Sequence, residues 1–362
     1  MSKGGMRIMV TGGAGFIGSA LVRHLVLERG DQVCTIDKLT YSGSVANLDA
    51  VEASPLHELV ELDICDGPAV REVMLDFRPD AVLHLAAESH VDRSIDGPEV
   101  FVRTNVLGTC NMLQAALELH RGSSGGLRFV HVSTDEVYGE NELYDCEDDA
   151  KHEDATLEPT NPYAASKAAA EMLVKAYRRS YGLPVIVTRC NNVFGPGQYP
   201  EKLIPKVVLL AKRGAKLPIH GDGSAKRSYL YVEDVAEAYD AVLHMGKLGE
   251  TYNIGTQHEV TVVDVVRMIC GVMGVDFDAQ VSHVADRPFN DQRYYLNARK
   301  LEKLGWTQRT SWEEGMRKTI EWYTRDEVSD GGYWESLEDA LKAHPTEPAE
   351  ETAAAKRMRL GD

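Results

Sequence analysis

A glycine-rich turn joins an apolar strand to an amphipathic helix near the start of the chain: Arg7-Ile8-Met9-Val10-Thr11-Gly12-Gly13-Ala14-Gly15-Phe16-Ile17-Gly18. Gly12 allows a tight turn, Gly15 lets a ligand approach the backbone, and Gly18 lets the helix pack close to the strand. Free N–H groups at such a helix N-terminus bind phosphate groups. The position of this motif between strand and helix predicts a dinucleotide site formed by Gly12, Gly15, Phe16, Ile17 and Gly18.

The pattern beyond this turn is a regular alternation of strands and helices. Further short apolar strands are predicted at residues 32–36, 59–62, 81–85, 128–133 and 185–189, and long helices at 98–120 and 162–181. This alternation predicts an α/β fold, a Rossmann-type doubly wound parallel sheet over residues 6–189 that carries the cofactor and the catalytic residues. We expect residues 190–325 to form mainly a smaller α/β substrate-binding lobe. We expect residues 336–362 to be a loosely ordered acidic tail.

Composition excludes several classes of function. The 362 residues include 39 basic and 56 acidic side chains, a net charge of −17, which argues against a nucleic-acid partner. No apolar stretch is long enough to span a membrane, and the N-terminus is too polar for a signal peptide. The six cysteines show no CxxC or zinc-ligand spacing, so we expect a cytoplasmic protein without a metal site.

The second strand ends in a carboxylate that selects the cofactor. Asp37 follows Gly18 by 19 residues and can accept hydrogen bonds from both hydroxyls of an adenosine ribose, which favours NAD over NADP. Lys38 follows directly and weakens this inference slightly. Asp63 and Ile64, after the third strand, either contact the adenine ring or form a simple turn at the strand end.

A tyrosine and a lysine lie four residues apart at the start of the second long helix. Tyr163 and Lys167 therefore share one helix face, although about one such YxxxK match is expected by chance in this chain. The position of the YxxxK match in the chain strengthens its interpretation, because the match follows a dinucleotide-binding half and the strand that ends at Ser133-Thr134. The Lys167 ammonium and a positive nicotinamide ring are expected to lower the Tyr163 pKa, so that the phenolate can take a proton from a sugar hydroxyl.

These motifs resemble those of one family over about residues 6–325. The chain resembles the nucleoside-diphosphate-glucose 4,6-dehydratases of the extended short-chain dehydrogenase/reductase superfamily. Besides the glycine turn and Tyr163 with Lys167, the resemblance lies in His84-Leu85-Ala86-Ala87-Glu88-Ser89-His90-Val91-Asp92-Arg93-Ser94, Ser133-Thr134-Asp135-Glu136-Val137-Tyr138-Gly139, Arg189-Cys190-Asn191-Asn192, Pro200-Glu201-Lys202-Leu203-Ile204-Pro205 and Arg227-Ser228-Tyr229-Leu230-Tyr231-Val232-Glu233-Asp234.

The resemblance implies a set of site residues, a cofactor and an assembly. It implies bound NAD contacted by Ala86, Tyr163 and Lys167, and a homodimer. It implies the catalytic residues Thr134, Asp135, Glu136, Tyr163 and Lys167. It places Ser89, Asn192, Glu201, Lys202, Arg227, Arg287 and Asn290 near a sugar-nucleotide substrate.

The Asp135-Glu136 pair also makes chemical sense from the reaction itself. Once C4 of glucose is oxidised to a ketone, the C5 proton lies α to a carbonyl and a carboxylate such as Glu136 can remove it. The C6 hydroxyl then leaves if Asp135, with a raised pKa, protonates it. Hydride returns to C6, so the cycle is redox-neutral and NAD is a resident cofactor.

The nucleotide base and two other functions stay open at this stage. Val262 and Asn290 depart from the bacterial dTDP-glucose pattern, and residues 249–323 are more similar to the dehydratase domain of plant-type rhamnose synthases. UDP-glucose is therefore favoured over dTDP-glucose, for deoxysugar or rhamnose synthesis. The alternatives are a sugar-nucleotide 4-epimerase or decarboxylase, which need no such carboxyl pair, and a non-catalytic NAD-binding regulatory protein, which needs no Tyr163.

Overall fold

The computed structural model describes residues 5–122, 126–141, 150–285, 291–330, 332–334 and 336–342. Its strands are β1 (Arg7–Thr11), β2 (Gln32–Asp37), β3 (His57–Glu61), β4 (Ala81–His84), β5 (Arg128–Thr134), β6 (Val185–Cys190), β7 (Asn192–Phe194), β8 (Leu217–His220), β9 (Lys226–Tyr231), β10 (Thr251–Ile254), β11 (Glu259–Thr261) and β12 (Val281–Val284). Seven of them form one parallel sheet in the order β10-β6-β5-β4-β1-β2-β3. The order runs outward from β1 in both directions, which confirms the predicted doubly wound fold.

Helices cover both faces of this sheet, and further helices belong to the smaller lobe. They are α1 (Phe16–Arg23), α2 (Asp49–Glu52), α3 (Gly67–Phe77), α4 (Val91–Asp96), α5 (Pro98–Phe101), α6 (Thr109–Gly122), α7 (Pro162–Tyr181), α8 (Leu203–Lys212), α9 (Val232–Met245), α10 (Val262–Met273), α11 (Phe277–Gln280), α12 (Arg299–Glu302), α13 (Trp312–Tyr323), α14 (Asp326–Ser329) and α15 (Leu337–Leu341). None of these helices is both long and apolar enough to cross a membrane, within the part of the chain that is described.

The two predicted long helices are both present, and local sequence signals explain the bounds of α7. At the start of α7, the Asn161 Oδ1 accepts a hydrogen bond from Ala164 N at 2.8 Å and Pro162 occupies the first position, while the left-handed Gly182 follows its end. The helix therefore has its predicted bounds. The other predicted helix, 98–120, is a continuous helical segment in which a π-helical stretch, Val102–Gly108, separates α5 from α6.

The smaller lobe contains two short sheets, β11-β9-β7 and β12-β8, and its apolar core is lined by α8, α10 and α13. The predicted division at residue 189 does not match this packing completely. β10 pairs with β6 in the large sheet, and α9 packs against α1 in the core beside it. The reason is that β6 would otherwise be a long exposed edge, and a later strand covers it.

The start of the acidic tail is packed, so the prediction of a loose tail from residue 336 is wrong for residues 336–342. Leu337, Ala340 and Leu341 share one face of α15 and are buried in the core of the smaller lobe. Their spacing of three and four residues is the helical pattern that buries an apolar stripe. Residues 343–362, including the basic Lys356-Arg357-Met358-Arg359, lie outside the described residues.

Candidate active site

A cavity of about 330 Å³ opens at the carboxyl ends of the large-sheet strands, where ligands bind in doubly wound folds. It brings together most of the site residues that the sequence predicts. The glycine turn, the second-strand carboxylate, the tyrosine and the lysine all face the same space. The predicted residues lining the cavity are Gly12, Gly15, Phe16, Ile17, Gly18, Asp37, Ile64, Ala86, Ser89, Thr134, Asp135, Glu136, Tyr163, Lys167, Asn192, Glu201 and Lys202.

Two predicted residues, Asp63 and Arg227, are not among those that line this cavity, and two others are not described. Asp63 Oδ1 accepts a hydrogen bond from Cys65 N at 2.8 Å in the turn after β3, and its contact with the adenine ring stays a prediction. Arg227 also lies outside the cavity lining, but its guanidinium charge still lowers the pKa values of Asp135 and Glu136. Arg287 and Asn290 lie outside the described residues.

The glycine turn has the geometry of a phosphate cradle. Gly12 has a φ of +72°, and a Cβ there would lie 2.7 Å from the backbone nitrogen of Ala86. A Cβ on Gly18 would lie 2.1 Å from the Gly12 carbonyl oxygen, so neither position accepts a larger residue. Helix α1 begins at Phe16 without a side-chain cap, which leaves its first N–H groups on the side of the cavity. The turn therefore fits the pyrophosphate of a dinucleotide.

Asp37 is held at the end of β2 by the backbone around it. Its Oδ2 accepts a hydrogen bond from Ala14 N at 3.0 Å and its Oδ1 accepts one from Leu39 N at 2.9 Å. Burial raises the pKa of this carboxyl, and the two backbone donors oppose that effect. Each oxygen keeps lone pairs, so Asp37 can still accept from ribose hydroxyls.

The carboxyl pair lies in one turn that follows β5. Thr134 Oγ1 donates to Asp135 Oδ1 at 3.1 Å, and Asn191 Nδ2 donates to Asp135 Oδ2 at 2.8 Å. Asn161 Nδ2 donates to Glu136 Oε2 at 3.1 Å. Each carboxyl group is therefore oriented by an amide from a neighbouring element.

Burial shifts the ionisation of both carboxyl groups toward neutral pH. It raises the pKa of Asp135 to about 6 and, together with the negative charge of Asp135, raises the pKa of Glu136 to about 7. The amides of Asn191 and Asn161 oppose these shifts by donating hydrogen bonds. Two carboxyl groups that ionise near neutral pH can accept and release protons during a reaction.

The expected activation of Tyr163 by Lys167 is not found in the protein's own electrostatics. Burial raises the Tyr163 pKa, the charges of Glu136 and Asp135 raise it further, and the Thr134 hydroxyl lowers it. Lys167 Nζ instead donates to the backbone oxygen of Val132 at 2.6 Å, and burial lowers its own pKa to about 8. A phenolate beside two carboxyl groups is unfavourable, so a further positive charge near Tyr163 is needed to favour it.

A buried ion pair supports the catalytic helix, and sequence reasoning did not identify it. Glu171 lies one turn after Lys167 on α7 and is 0% exposed, and its partner Arg189 on β6 is 1% exposed. Arg189 donates to Glu171 through Nε at 3.0 Å and Nη2 at 2.7 Å. Its Nη1 donates to the Glu153 backbone oxygen at 3.1 Å, and its guanidinium stacks on the Tyr138 ring. The pair fixes α7 against the sheet.

At the cavity rim, the roles of Tyr41, His90 and Arg93 around the predicted Glu201 were also missed. Glu201 Oε2 lies 3.3 Å from Arg93 Nε and 3.8 Å from His90 Nε2, while the Tyr41 hydroxyl donates to Glu201 Oε1 at 3.4 Å. Lys202 Nζ donates to the Ser89 backbone oxygen at 3.2 Å. These contacts join loops distant in sequence, so residue spacing offered no signal for them. Asn161 and Asn191 did carry a signal, since one precedes the helix proline and the other ends a strand.

Comparison with known proteins places the chain among nucleotide-sugar enzymes. A family model described as GDP-mannose 4,6 dehydratase matches residues 9–319. A trifunctional UDP-glucose 4,6-dehydratase/UDP-4-keto-6-deoxy-D-glucose 3,5-epimerase/UDP-4-keto-L-rhamnose-reductase of Arabidopsis thaliana is 48% identical over 341 residues, covering 93% of the chain and 49% of the relative. The chain thus spans about half the length of this plant relative.

Relatives of similar length and a solved structure give the same picture. The dTDP-glucose 4,6-dehydratase 1 of Escherichia coli strain K12 is 46% identical over 354 residues, covering 92% of the chain and 98% of the relative. The crystal structure of DesIV, a dTDP-glucose 4,6-dehydratase from Streptomyces venezuelae with NAD and TYD bound, superposes with a TM-score of 0.84 at 42% identity, covering 92% of the chain and all of DesIV.

Proposed function

Because the chain belongs to the GDP-mannose 4,6 dehydratase family, we propose that it is a nucleoside-diphosphate-glucose 4,6-dehydratase that forms an NDP-4-keto-6-deoxyglucose. The observation that carries the proposal is the Asp135-Glu136 pair, which lines the same cavity as Tyr163 and ionises near neutral pH. The reaction of a 4-epimerase or a decarboxylase does not require a general acid and a general base at neighbouring sugar carbons. A purely regulatory protein would not require residues that transfer protons, such as this carboxyl pair and Tyr163.

NAD is the proposed cofactor, and the residues present fit it. Gly12, Gly15 and the first N–H groups of α1 would hold the pyrophosphate, and Asp37 would accept from the adenosine ribose. Ile64 and Ala86 would contact the rest of the dinucleotide along the cavity wall. When bound, NAD supplies the hydride acceptor for C4 of the sugar and the hydride donor for C6. A 2′-phosphate would meet the negative charge of Asp37, which disfavours NADP.

The chain's own residues move the protons of the reaction. Tyr163, whose pKa the Thr134 hydroxyl lowers, takes the proton of the C4 hydroxyl, and the Lys167 ammonium adds positive charge to this part of the cavity. Glu136, oriented by Asn161, takes the proton from C5. Asp135, oriented by Asn191, gives its proton to the departing C6 hydroxyl, which leaves as water. The pKa of Asp135, raised to about 6, leaves a minority of the Asp135 carboxyl groups protonated at neutral pH, and the pKa of Glu136, about 7, is higher still.

The substrate residues remain part of the proposal. Lys202 would neutralise the diphosphate at the rim, and the proposed substrate contacts of Arg227 and Arg287 rest on the resemblance. Ser89, Asn192 and Glu201 line the cavity where hydroxyl groups of the sugar would lie, and Asn290 would contact the nucleotide. We further propose a cytoplasmic homodimer.

UDP-glucose is the favoured substrate and dTDP-glucose the next. The similarity of residues 249–323 to the plant-type dehydratase domain and the presence of Val262 support this order. The relatives do not distinguish the bases, because plant and bacterial proteins are 48% and 46% identical to the chain. Purified protein incubated separately with each sugar nucleotide tests the proposal: we expect 4-keto-6-deoxy product from both and a higher kcat/KM with UDP-glucose. A 4-epimer without keto product would contradict the dehydratase function.

A further inference from the structure

The C-terminal strap, defined as residues 332–334 and 336–342, lies beyond the residues that match the family model. It is anchored on the smaller lobe. Lys206 Nζ, on α8, donates to the Lys342 backbone oxygen at 2.7 Å, and Arg213 Nη1 lies 2.9 Å from Glu338 Oε1. The buried face of α15 adds apolar contacts with the same lobe. The strap therefore has a fixed position from which its other residues reach the cofactor side of the cavity.

One strap residue is linked to the glycine turn through a single side chain. The Tyr333 hydroxyl donates to Asn47 Oδ1 at 2.6 Å, and Asn47 Nδ2 donates to the Ala14 backbone oxygen at 2.8 Å. Ala14 lies inside the glycine turn, and its own N–H is held by Asp37. The Asn47 side-chain amide thus accepts a hydrogen bond from the strap through its oxygen and donates one to the glycine turn through its nitrogen.

The position of the Tyr333 hydroxyl is determined by packing. The Tyr333 ring makes edge contacts with Trp322, at 5.0 Å between centroids, and with Trp334, at 4.7 Å. Burial raises the pKa of Tyr333 to about 12, so the hydroxyl keeps its proton and is a donor at neutral pH. Asn47 is only 5% exposed, so its acceptor would lose its partner if this hydroxyl were removed.

The strap touches the cavity at a second point. Trp334 packs edge-on against Tyr199, with ring centroids 5.5 Å apart, and the Tyr199 hydroxyl lies 2.8 Å from Ser336 Oγ. Tyr199 lines the cavity and packs against Tyr41 at the rim. The strap thus supports the cavity wall from the lobe side as well as from the glycine turn.

We propose that Tyr333 is a positioning residue for the dinucleotide: through Asn47 it fixes the glycine turn, and the C-terminal strap thereby strengthens the binding of NAD(H). The proposal rests on the proposed function in that the dinucleotide binds at this turn. It adds a segment that packs on the smaller lobe to the cofactor site.

Binding of NAD to the full-length protein tests this directly, with Tyr333→Phe, Asn47→Ala and the double variant. We expect Tyr333→Phe to weaken NAD binding by about 3–10-fold, the usual effect of one lost hydrogen bond. At saturating NAD, the KM for the sugar nucleotide should stay at its wild-type value, and the urea midpoint should fall only by the amount expected for one lost hydrogen bond. The double variant should bind no more weakly than Asn47→Ala, because both changes break the same link. Tyr181→Phe is the matched control, since it removes a half-exposed hydroxyl at the far end of α7.

The outcomes separate this inference from the proposed function. If wild-type protein binds NAD and Tyr333→Phe binds it equally well, the positioning role is wrong while the proposed function stands. Additive losses in the double variant would also overturn the role, because they would mean that the two residues act independently. If wild-type protein neither retains nor binds NAD(H), the proposed cofactor and the role of Tyr333 both fail.

Discussion

Asp135 and Glu136 are two adjacent carboxyl groups, the first buried and the second partly exposed, and among the described residues no lysine or arginine lies within salt-bridge distance of either. Their raised pKa values mean that the folded protein binds more protons than the unfolded chain between about pH 4 and pH 7. Stability that these groups contribute is present at low pH and is lost as the pH rises through their folded pKa values. The pair therefore lowers the free energy of unfolding near neutral pH, where it would act as acid and base.

Replacing either carboxyl group by its amide should stabilise the protein at neutral pH. We expect Glu136→Gln and Asp135→Asn to raise the free energy of unfolding by about 1 kcal/mol or more at about pH 7.5, and by less at about pH 4.5. Urea denaturation at both pH values measures this, with the exposed Asp154→Asn as control. Variants less stable than the wild type at the higher pH would show that the charged pair stabilises the fold.

The same two variants should separate the oxidation at C4 from the later loss of water. Glu136→Gln keeps the groups for C4 oxidation, so reduced cofactor should accumulate, visible by absorbance, while exchange of the C5 hydrogen with solvent deuterium stops. Asp135→Asn keeps the base, so C5 exchange should continue while loss of water slows. Each loss of a general acid or base should lower product formation by about 10²–10⁴-fold. Normal turnover by Glu136→Gln would remove that residue from the mechanism.

Tyr163→Phe should block the earlier step. Without the phenol, the C4 hydroxyl loses its proton acceptor, so we expect neither product nor reduced cofactor when substrate is added. Single-turnover absorbance measurements check this, with Glu136→Gln as the variant that does accumulate reduced cofactor. Reduced cofactor in Tyr163→Phe at the wild-type rate would mean that another group removes the C4 proton.

At the scale of elements, the Glu171–Arg189 pair joins α7 to β6. Glu171→Gln should destabilise the fold by about 3–5 kcal/mol, because it leaves a buried arginine without its counter-charge. Replacing both residues by Met should cost less than this single change. Urea denaturation compares them, with the exposed pair Glu314–Lys318 as control, where Lys318→Ala should cost no more than about 1 kcal/mol. Equal losses at the buried and exposed pairs would contradict the role of the buried pair.

The elements themselves were largely predictable from sequence. Apolar runs ending in small or polar residues gave the first six strands to within about two residues, and Asn161-Pro162 with Gly182 gave both ends of α7. The partner of β6 was not predictable, because β10 comes more than 60 residues later and no local pattern states which strand covers an edge. The packed face of α15 was hidden by the acidic residues around it.

That certain residues meet in one cavity was predictable where a residue type with a known chemical role lies at a characteristic spacing in the sequence. The glycine turn, Asp37, Tyr163, Lys167 and the carboxyl pair all line one cavity. The contacts of Tyr41 and Arg93 with Glu201 depend on how separate loops meet, which spacing does not record. Burial and the neighbouring carboxyl groups act more strongly on the Tyr163 pKa than Lys167 does, so the expected lowering depends on the positive nicotinamide ring.

At the scale of the whole molecule, an apolar surface on α5, the π-helical stretch and α7 suits a second copy of the chain. Val100, Val102, Leu107 and Met172 are each about half exposed there, and Val106 and Leu173 line a groove between them. We expect a homodimer through these helices, with light scattering giving twice the 40.0 kDa chain mass at micromolar concentration. Leu107→Glu with Met172→Glu should yield monomers. A wild-type monomer would contradict the dimer.

The fate of the hydrogen on sugar C4 tests the proposed dehydratase function most directly. In the reaction proposed here, hydride leaves C4 and returns to C6 of the same sugar, while a solvent proton enters at C5. UDP-glucose or dTDP-glucose carrying deuterium at C4 should therefore give a 4-keto-6-deoxy product with deuterium at C6, detected by NMR. Deuterium found again on C4, in an epimerised or unchanged sugar, would contradict the account.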